Sequence, residues 1–412
     1  MQIQKFTSKT FIRIKIVLDI IFGKKSFFSK SLIKSDLIIY DDIYPHPVSG
    51  FRIEEFTVLL TEIKKSKIYL APKSYPIVKT DVNLHPIHVK EIIQNNNTLK
   101  GKLKIYNGIF NFNTRLFYCI FINNIYIFIN DLERLKIPFV FTLYPGGGFQ
   151  MNEDKSDLKI KRILSSPMFK KVIVTQKISK DYLITNHFCE EDKIELIFGG
   201  VVPQNSLIKN NFNRKNYLIN KPTLDICFCA GKYMAKGLDK GYDVFIEVAH
   251  ALAFKYDFVN FHVIGGFDAS DIDVSKINDR ITFYGYQKFE NLETIYQGID
   301  IIISPNKSFV LNKGSFDGFP LGTVVEAALN QVLVLLSDDI NQNTIFKDGE
   351  ELIIVESNST CIEKELIHLI ENPQRITEIA NKGMLKFQEV YSNSIQMKPR
   401  IELLKKLIKE SK

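Results

Sequence analysis

Three lysines, two carboxylates and a run of glycines in the second half of the chain have the types and spacing that phosphate chemistry uses. Lys232, Lys236 and Lys240 fall within nine residues, flanked by Gly231 and Gly241, after the apolar run Leu224–Ala230 and before a helical pattern that starts at Tyr242. Mobile ammonium groups, interleaved with glycines that let backbone approach closely, are what phosphate binding requires. Loop lysines are also commonly just solvated. Further on, Asp317-Gly318-Phe319-Pro320-Leu321-Gly322-Thr323 sets an acid in a tight Gly- and Pro-rich turn. An apolar helix follows (Val324, Val325, Ala327, Ala328, Leu329) with one carboxylate, Glu326, in its first turn. Such a helix directs free amides and the positive end of its dipole at whatever lies in front of it, where a diphosphate would sit. Thr323-Val324-Val325-Glu326 fits a capping box as well, with Thr323 on the third amide and Glu326 reaching back to the first.

These residues must be held at the ends of something. Short apolar runs alternate with helical patterns along the chain, which predicts parallel sheets with helices on both faces. Six strands are expected in the first half, at 35–40, 67–71, 116–122, 138–143, 171–175 and 193–198. Six more are expected in the second, at 224–230, 260–264, 280–284, 299–304, 332–336 and 352–355. The fold class is α/β, with two doubly wound Rossmann-like domains facing one another across a cleft. Residues 206–222, rich in Asn, Lys and Ser, read as the linker between a domain at 35–205 and one at 223–390. Ligands of open parallel sheets bind beyond the C-terminal ends of the strands. Here those ends carry Asp41 to Arg52, Tyr144-Pro145-Gly146-Gly147-Gly148, Gly231-Lys232, Gly265-Gly266, Gly285-Tyr286 and Pro305-Asn306.

Composition narrows the function. The 412 residues are 45% hydrophobic and 24% charged, which suits folded domains with ample cores. Five scattered cysteines, with no CxxC and no Cys/His cluster, fit a reducing, cytoplasmic setting. The net charge is +8, but residues 1–34 hold eight basic residues against Asp19 alone. The remainder is nearly neutral, which argues against nucleic-acid binding. The 1–34 segment mixes those charges with Phe and Ile, a pattern suited to peripheral contact with an anionic membrane on its inner face, or to a first strand and helix with a solvated basic face. Asp271-Ile272-Asp273 has the form of a metal-binding acid pair, but reads as a solvated acidic loop away from the phosphate elements. No metal and no cofactor are expected.

In order and spacing, Gly231-Lys232, Lys240-Gly241-Tyr242-Asp243-Val244-Phe245-Ile246, Val263-Ile264-Gly265-Gly266, Ile281–Tyr286, Asp300–Pro305 and Asp317–Ala327 resemble the C-terminal domain of the retaining GT-B glycosyltransferases of family 4. Lys171–Thr175 and Lys193–Val201 extend the resemblance, which spans about residues 35 to 390. It implies a GT-B fold, with a C-terminal segment, 391–412, returning to the first domain. It implies a nucleotide-sugar donor and a glycan or lipid-linked acceptor, as in surface polysaccharide synthesis. Lys232 and Lys240 would hold the diphosphate, with Lys236 a rival for the second position, and Glu326 would bind the ribose. Asp317 would meet hydroxyls of the donor sugar, with the following loop, Gly318, Phe319, Pro320, Leu321, Gly322 and Thr323, bringing backbone amides to the distal phosphate. Gly231, Gly265, Gly285 and Tyr286 would line the donor site.

Two departures stand out. Asp317 and Glu326 are nine apart where the family spaces its two acids eight apart, and Gly322 is the candidate extra loop residue. No His follows the strand 138–143. On the acceptor and sugar side, His46, Ser49, Gly50 and Arg52 occupy the family's first glycine-rich loop, and Tyr144, Gly146, Gly147 and Gly148 lie opposite. A turn histidine also serves as a surface or capping residue, and the three glycines also fit a flexible loop. A nucleotide-sugar epimerase of the same fold and a non-catalytic nucleotide-sugar-binding protein are the alternative functions.

Overall fold

The computed structural model of the chain describes residues 34–71, 81–203 and 214–411. Strands β1 (Ser35–Asp41), β2 (Ser66–Leu70), β3 (Leu103–Ile105), β4 (Thr114–Ile120), β5 (Phe139–Leu143), β6 (Phe169–Val174) and β7 (Ile194–Leu196) form one sheet in the order β3-β2-β1-β4-β5-β6-β7. Strands β8 (Leu224–Ala230), β9 (Val259–Gly265), β10 (Ile281–Gly285), β11 (Ile301–Ser304), β12 (Leu333–Leu336) and β13 (Ile353–Ile354) form a second, ordered β10-β9-β8-β11-β12-β13. Every strand pairing is parallel, with Leu37 opposite Leu116 in the first sheet and Ile302 opposite Cys227 in the second. The central strands are buried on both faces, as parallel sheets flanked by helices demand, so they read in sequence as unbroken apolar runs.

In each sheet the strand order reverses beside the first strand, between β1 and β4 and between β8 and β11. Ligands of such sheets bind beyond the strand ends at such a reversal.

Two expectations need correction. The first sheet has seven strands, because β3 was not foreseen: it is three residues long, half exposed, and sits at the edge, so it lacks an apolar signature. The expected linker is only partly described, and from Arg214 onward it is docked. The buried Arg214 guanidinium donates to the carbonyls of Tyr296 (2.8 Å), Asn330 (3.0 Å) and Ile299 (2.5 Å), which end helices and turns of the second domain and need donors. The basic segment 1–34, Lys34 apart, lies outside the described residues.

The chain ends in the helix Asn393–Glu410, which crosses back to the first domain. It buries Met397, Leu404, Leu407 and Ile408 with Leu37, Phe56 and Leu116 of the first sheet's core. Among the described residues, no helix is long and apolar enough to cross a membrane.

Candidate active site

The second domain gathers most of the predicted residues. Gly265 ends β9 with φ +124°, and a Cβ there would lie 1.9 Å from the Ala230 carbonyl oxygen, so only glycine lets the ends of β8 and β9 close up. Just beyond, the Lys232 amide donates to the Tyr286 hydroxyl at 3.3 Å. The Tyr286 ring leans over Gly266, where any Cβ would collide with it. Gly231 and Gly285 flank this corner, Gly285 in a left-handed turn with φ 65°.

The Lys232 ammonium is ion-paired with Asp271, whose other oxygen accepts the Asp268 amide at 3.1 Å. The acid pair was expected to be a solvated loop remote from the phosphate elements; instead the Asp271 side chain is 9% exposed and is the counter-charge of Lys232. That hydrogen bond to Asp271 holds the Lys232 pKa above the ordinary lysine range. Among the described residues, no group of three His, Cys, Asp or Glu side chains is placed to hold a metal ion.

Lys240 is buried, with its ammonium 2.5 Å from Asp317 Oδ2 and over the Tyr233 ring at 5.2 Å. Two elements bring this pair together across 77 residues. Gly241, left-handed at φ 68°, caps the helix Tyr242–Lys255 and packs against the Pro305 carbonyl, so the Lys240 segment lies against the end of β11. Asn306, the next residue there, donates to Asp317 Oδ2 at 2.7 Å and accepts from Ser304 at 2.9 Å. Gln342, in the loop after β12, donates to the Asp317 carbonyl at 3.0 Å. Asp239 beside Lys240 is buried, and that burial raises its pKa. Lys236 stands exposed on the intervening turn, with φ 54°.

The helix Gly322–Leu329 starts earlier than a capping box requires. Its N-cap is Leu321, without a side-chain cap, and Gly322 is its first residue rather than a loop insertion. The Thr323 hydroxyl donates instead to the Cys229 carbonyl at 3.0 Å, tying the helix to the end of β8. The capping-box reading is therefore wrong. Glu326, half-buried, faces the same strand end: burial pushes the Cys229 thiol up to about 12, and the Glu326 charge adds to that. Lys240 and Asp317 thus touch, and Lys232 and Glu326 lie at the end of the adjoining β8.

The acid turn also reaches the first domain. Gly318 packs against Gln176 and Pro145, and Gln176 donates to the Phe319 carbonyl at 3.1 Å. Pro320 follows a cis peptide bond.

In the first domain, the loop after β1 is a closed polar knot. Arg52, expected in the loop on the acceptor and sugar side, has its guanidinium engaged by Asp41 (3.2 Å) and Asp42 (3.8 Å). It also donates to Ser49 Oγ at 2.9 Å and lies 4.9 Å from the Phe51 and Phe121 rings. Burial pushes the Asp41 carboxyl up to about 6 against the pull of Arg52. Gly50 begins the helix Gly50–Glu62 and abuts Pro203. Tyr144 is buried, donating to Glu55 at 2.8 Å. Gly146, Gly147 and Gly148 all have positive φ, and Cβ atoms at the last two would collide with Phe121 and Asn123. They form a packed turn, which corrects the flexible-loop alternative.

His46 is not on the surface either: it is 7% exposed, accepts the Val48 amide at Nδ1 (3.1 Å) and meets His88 edge-on. Burial, then the neighbouring His88, lowers its pKa to about 4. The unfolded chain therefore binds the proton first, and stability is lost as pH falls from about 6.5 towards 4, by at most about 3 kcal/mol. His46→Asn, which keeps an acceptor, is expected to shrink the difference in urea midpoint between pH 7 and pH 5. His85 and His88, lowered likewise by burial, retain part of the slope.

Gln342 and Gln176 were not foreseen, and Asn306, placed at a strand end, was given no partner. Each is a single amide reaching a carboxylate or a carbonyl remote in sequence, and such contacts leave no local pattern.

Residues 226–384 match the family described as "Glycosyl transferases group 1". No curated protein sequence matches the chain significantly. Among solved structures, a glycosyltransferase from Rickettsia africae ESF-5 is similar over 91% of this chain and 99% of that one, at 15% identity and TM-score 0.61. Alr3699/HepE of Anabaena, solved in complex with UDP, is similar over 90% and 99%, at 11% identity and TM-score 0.64. A sucrose-phosphate synthase from Thermosynechococcus elongatus is similar over 91% and 100%, at 12% identity and TM-score 0.59. Residues 226–384 are thus similar to the group 1 glycosyl transferases, in a chain with the two-domain α/β fold of the GT-B glycosyltransferases.

Proposed function

We propose that the protein is a retaining glycosyltransferase that moves a sugar from a nucleoside diphosphate to a glycan or lipid-linked acceptor, in the synthesis of a surface polysaccharide at the cytoplasmic side of the membrane. The observation that carries the reading is the pair of lysines beyond the strand ends of one sheet, each held by a carboxylate beside the ends of β8 and β11. An entering diphosphate replaces Asp271 on Lys232 and Asp317 on Lys240, and the two ammonium groups take up the charge that grows on the leaving nucleoside diphosphate. The open start of the helix Gly322–Leu329 adds amide donors to the distal phosphate. Glu326, at the β8 end, accepts from the ribose hydroxyls. Asp317, released from Lys240, meets the sugar hydroxyls. Charge neutralisation rests on the lysines, so turnover is expected to persist in EDTA.

The test is a thermal-shift panel of UDP-, GDP- and ADP-sugars, with UDP compounds first because a fold relative binds UDP. A cognate nucleotide at a hundred times its Kd stabilises the fold by about 2.7 kcal/mol. No shift with any member would sink the reading. Product analysis without acceptor then separates transfer from epimerisation, and binding without any product would leave a nucleotide-sugar-binding protein.

A further inference from the structure

Part of the second domain's chain belongs, by packing, to the first. Between β11 and the helix Gly322–Leu329, the segment leading to Asp317 leaves its own sheet. Phe316 is buried in the first domain's core, edge-on to Phe149 at 5.6 Å. Met151 donates its amide to the Gly314 carbonyl at 2.9 Å, and a Cβ at Gly314 would lie 1.8 Å from the Met151 carbonyl oxygen. On the other side of Asp317, the Gln176 amide of the first domain donates to the Phe319 carbonyl at 3.1 Å, with both residues nearly inaccessible. Asp317 is therefore fastened to the first domain on both flanks, while its carboxylate holds Lys240 of the second.

Gln176 has no local reason to be glutamine. It is the N-cap of the helix Lys177–Thr185, where Ser, Thr, Asp or Asn would satisfy a free amide, and it makes no side-chain cap. Its side chain instead spans 143 residues of sequence to one carbonyl. Among the described residues no hydrogen-bond partner reaches the buried Gln176 Oε1, so the Nε2 bond to the Phe319 carbonyl carries the side chain's polar pairing.

We propose that Gln176 is a positioning residue that couples the docking of the two domains to the placement of Asp317 against Lys240. The proposal rests on the glycosyltransferase reading for its kinetic consequence, but not for the coupling itself. With the bond made, the acid turn is held where Asp317 can exchange Lys240 for a donor hydroxyl. Without it, the turn drifts, and misplacement of a reacting group by about 1 Å costs on the order of a hundredfold in rate.

The experiment uses the full chain, with Gln176→Leu and Gln176→Glu beside the wild type. Hydrogen–deuterium exchange of the peptide spanning 314–321 is expected to quicken about tenfold in Gln176→Leu; unchanged exchange overturns the coupling. Release of nucleoside diphosphate is then followed with UDP-glucose, or with whichever sugar nucleotide the thermal-shift panel selects. In Gln176→Leu, kcat is expected to fall ten- to a hundredfold with the donor KM within about twofold, and an unchanged kcat overturns the positioning role. A carboxyl at this position donates to the Phe319 carbonyl only when protonated. Turnover of Gln176→Glu relative to wild type should therefore recover between pH 8 and pH 5.5, and a flat ratio argues against the bond. If the wild type releases no nucleotide, the proposed function falls, and exchange alone decides the coupling.

Discussion

Lys240→Ala is expected, on the proposed function, to lower turnover of the nucleotide sugar by about a hundred- to a thousandfold, the usual consequence of removing one preorganised donor from a developing charge. The effect should fall mainly on kcat, because the diphosphate gains charge as the glycosidic bond breaks and the buried ammonium interacts with that increment in a site of low polarity. Loss of fold is not an adequate rival explanation. Asp317, the partner left behind, is about a third exposed at its side chain and keeps Asn306. A pair with one well-solvated member contributes little, about 1 kcal/mol or less. Thermal unfolding of the variant should stay within a few degrees of wild type while steady-state turnover collapses. A variant with wild-type kcat and donor affinity would remove Lys240 from the phosphate site.

Arg400→Met is expected to have the opposite signature: a large loss of stability. Arg400 is fully inaccessible, on the helix that crosses from the second domain to the first. Its Nη1 donates to the Gln396 carbonyl (2.5 Å) and side-chain oxygen (3.2 Å), and its charge acts on Tyr144, Glu55 and Tyr118. Glu55 is equally inaccessible and accepts the hydroxyls of Tyr118 and Tyr144. Burial, then the Glu55 charge, raises the Tyr118 pKa far above its ordinary value, with Arg400 pulling the other way. Removing the cation strands a buried carboxylate, which costs about 3–5 kcal/mol. Urea denaturation followed by tyrosine fluorescence should show the midpoint falling accordingly. Adding Glu55→Gln should return at least about 1 kcal/mol, since neighbours in one network are not additive. If the double variant is no more stable than Arg400→Met, the two charges are not coupled.

These residues show where sequence was informative. Both parallel sheets were readable because strands such as Leu37–Tyr40 and Ile301–Ile303 are buried on both faces, and the resulting apolar runs have little else to be. The edge strand Leu103–Ile105 has one half-buried residue and two exposed ones, so burial imposed no pattern on it. At the site, glycines and lysines at strand ends were legible, since strand ends are where loops gather. Partners were not. Thr323 looked like a helix cap because the residue three positions on is Glu326, but the nearby Cys229 carbonyl offers it a bond that sequence cannot show. Asp271 looked solvated because 39 residues separate it from Lys232. Gln176 carries no signal in sequence, its partner lying in the other domain.

The pairing of Lys232 with Asp271 and of Lys240 with Asp317 has a consequence for selectivity. A site that carries its own counter-ions presents almost no net field to the surrounding solution, so free phosphate, nucleic acid and other polyanions are not drawn in from a distance. The cations become available only to a ligand that also gives the displaced carboxylates something to hold. On the proposed function a nucleoside diphosphate sugar would bring both, phosphate for the lysines and hydroxyls for the acids, so the resting site would discriminate by exchange of partners rather than by attraction.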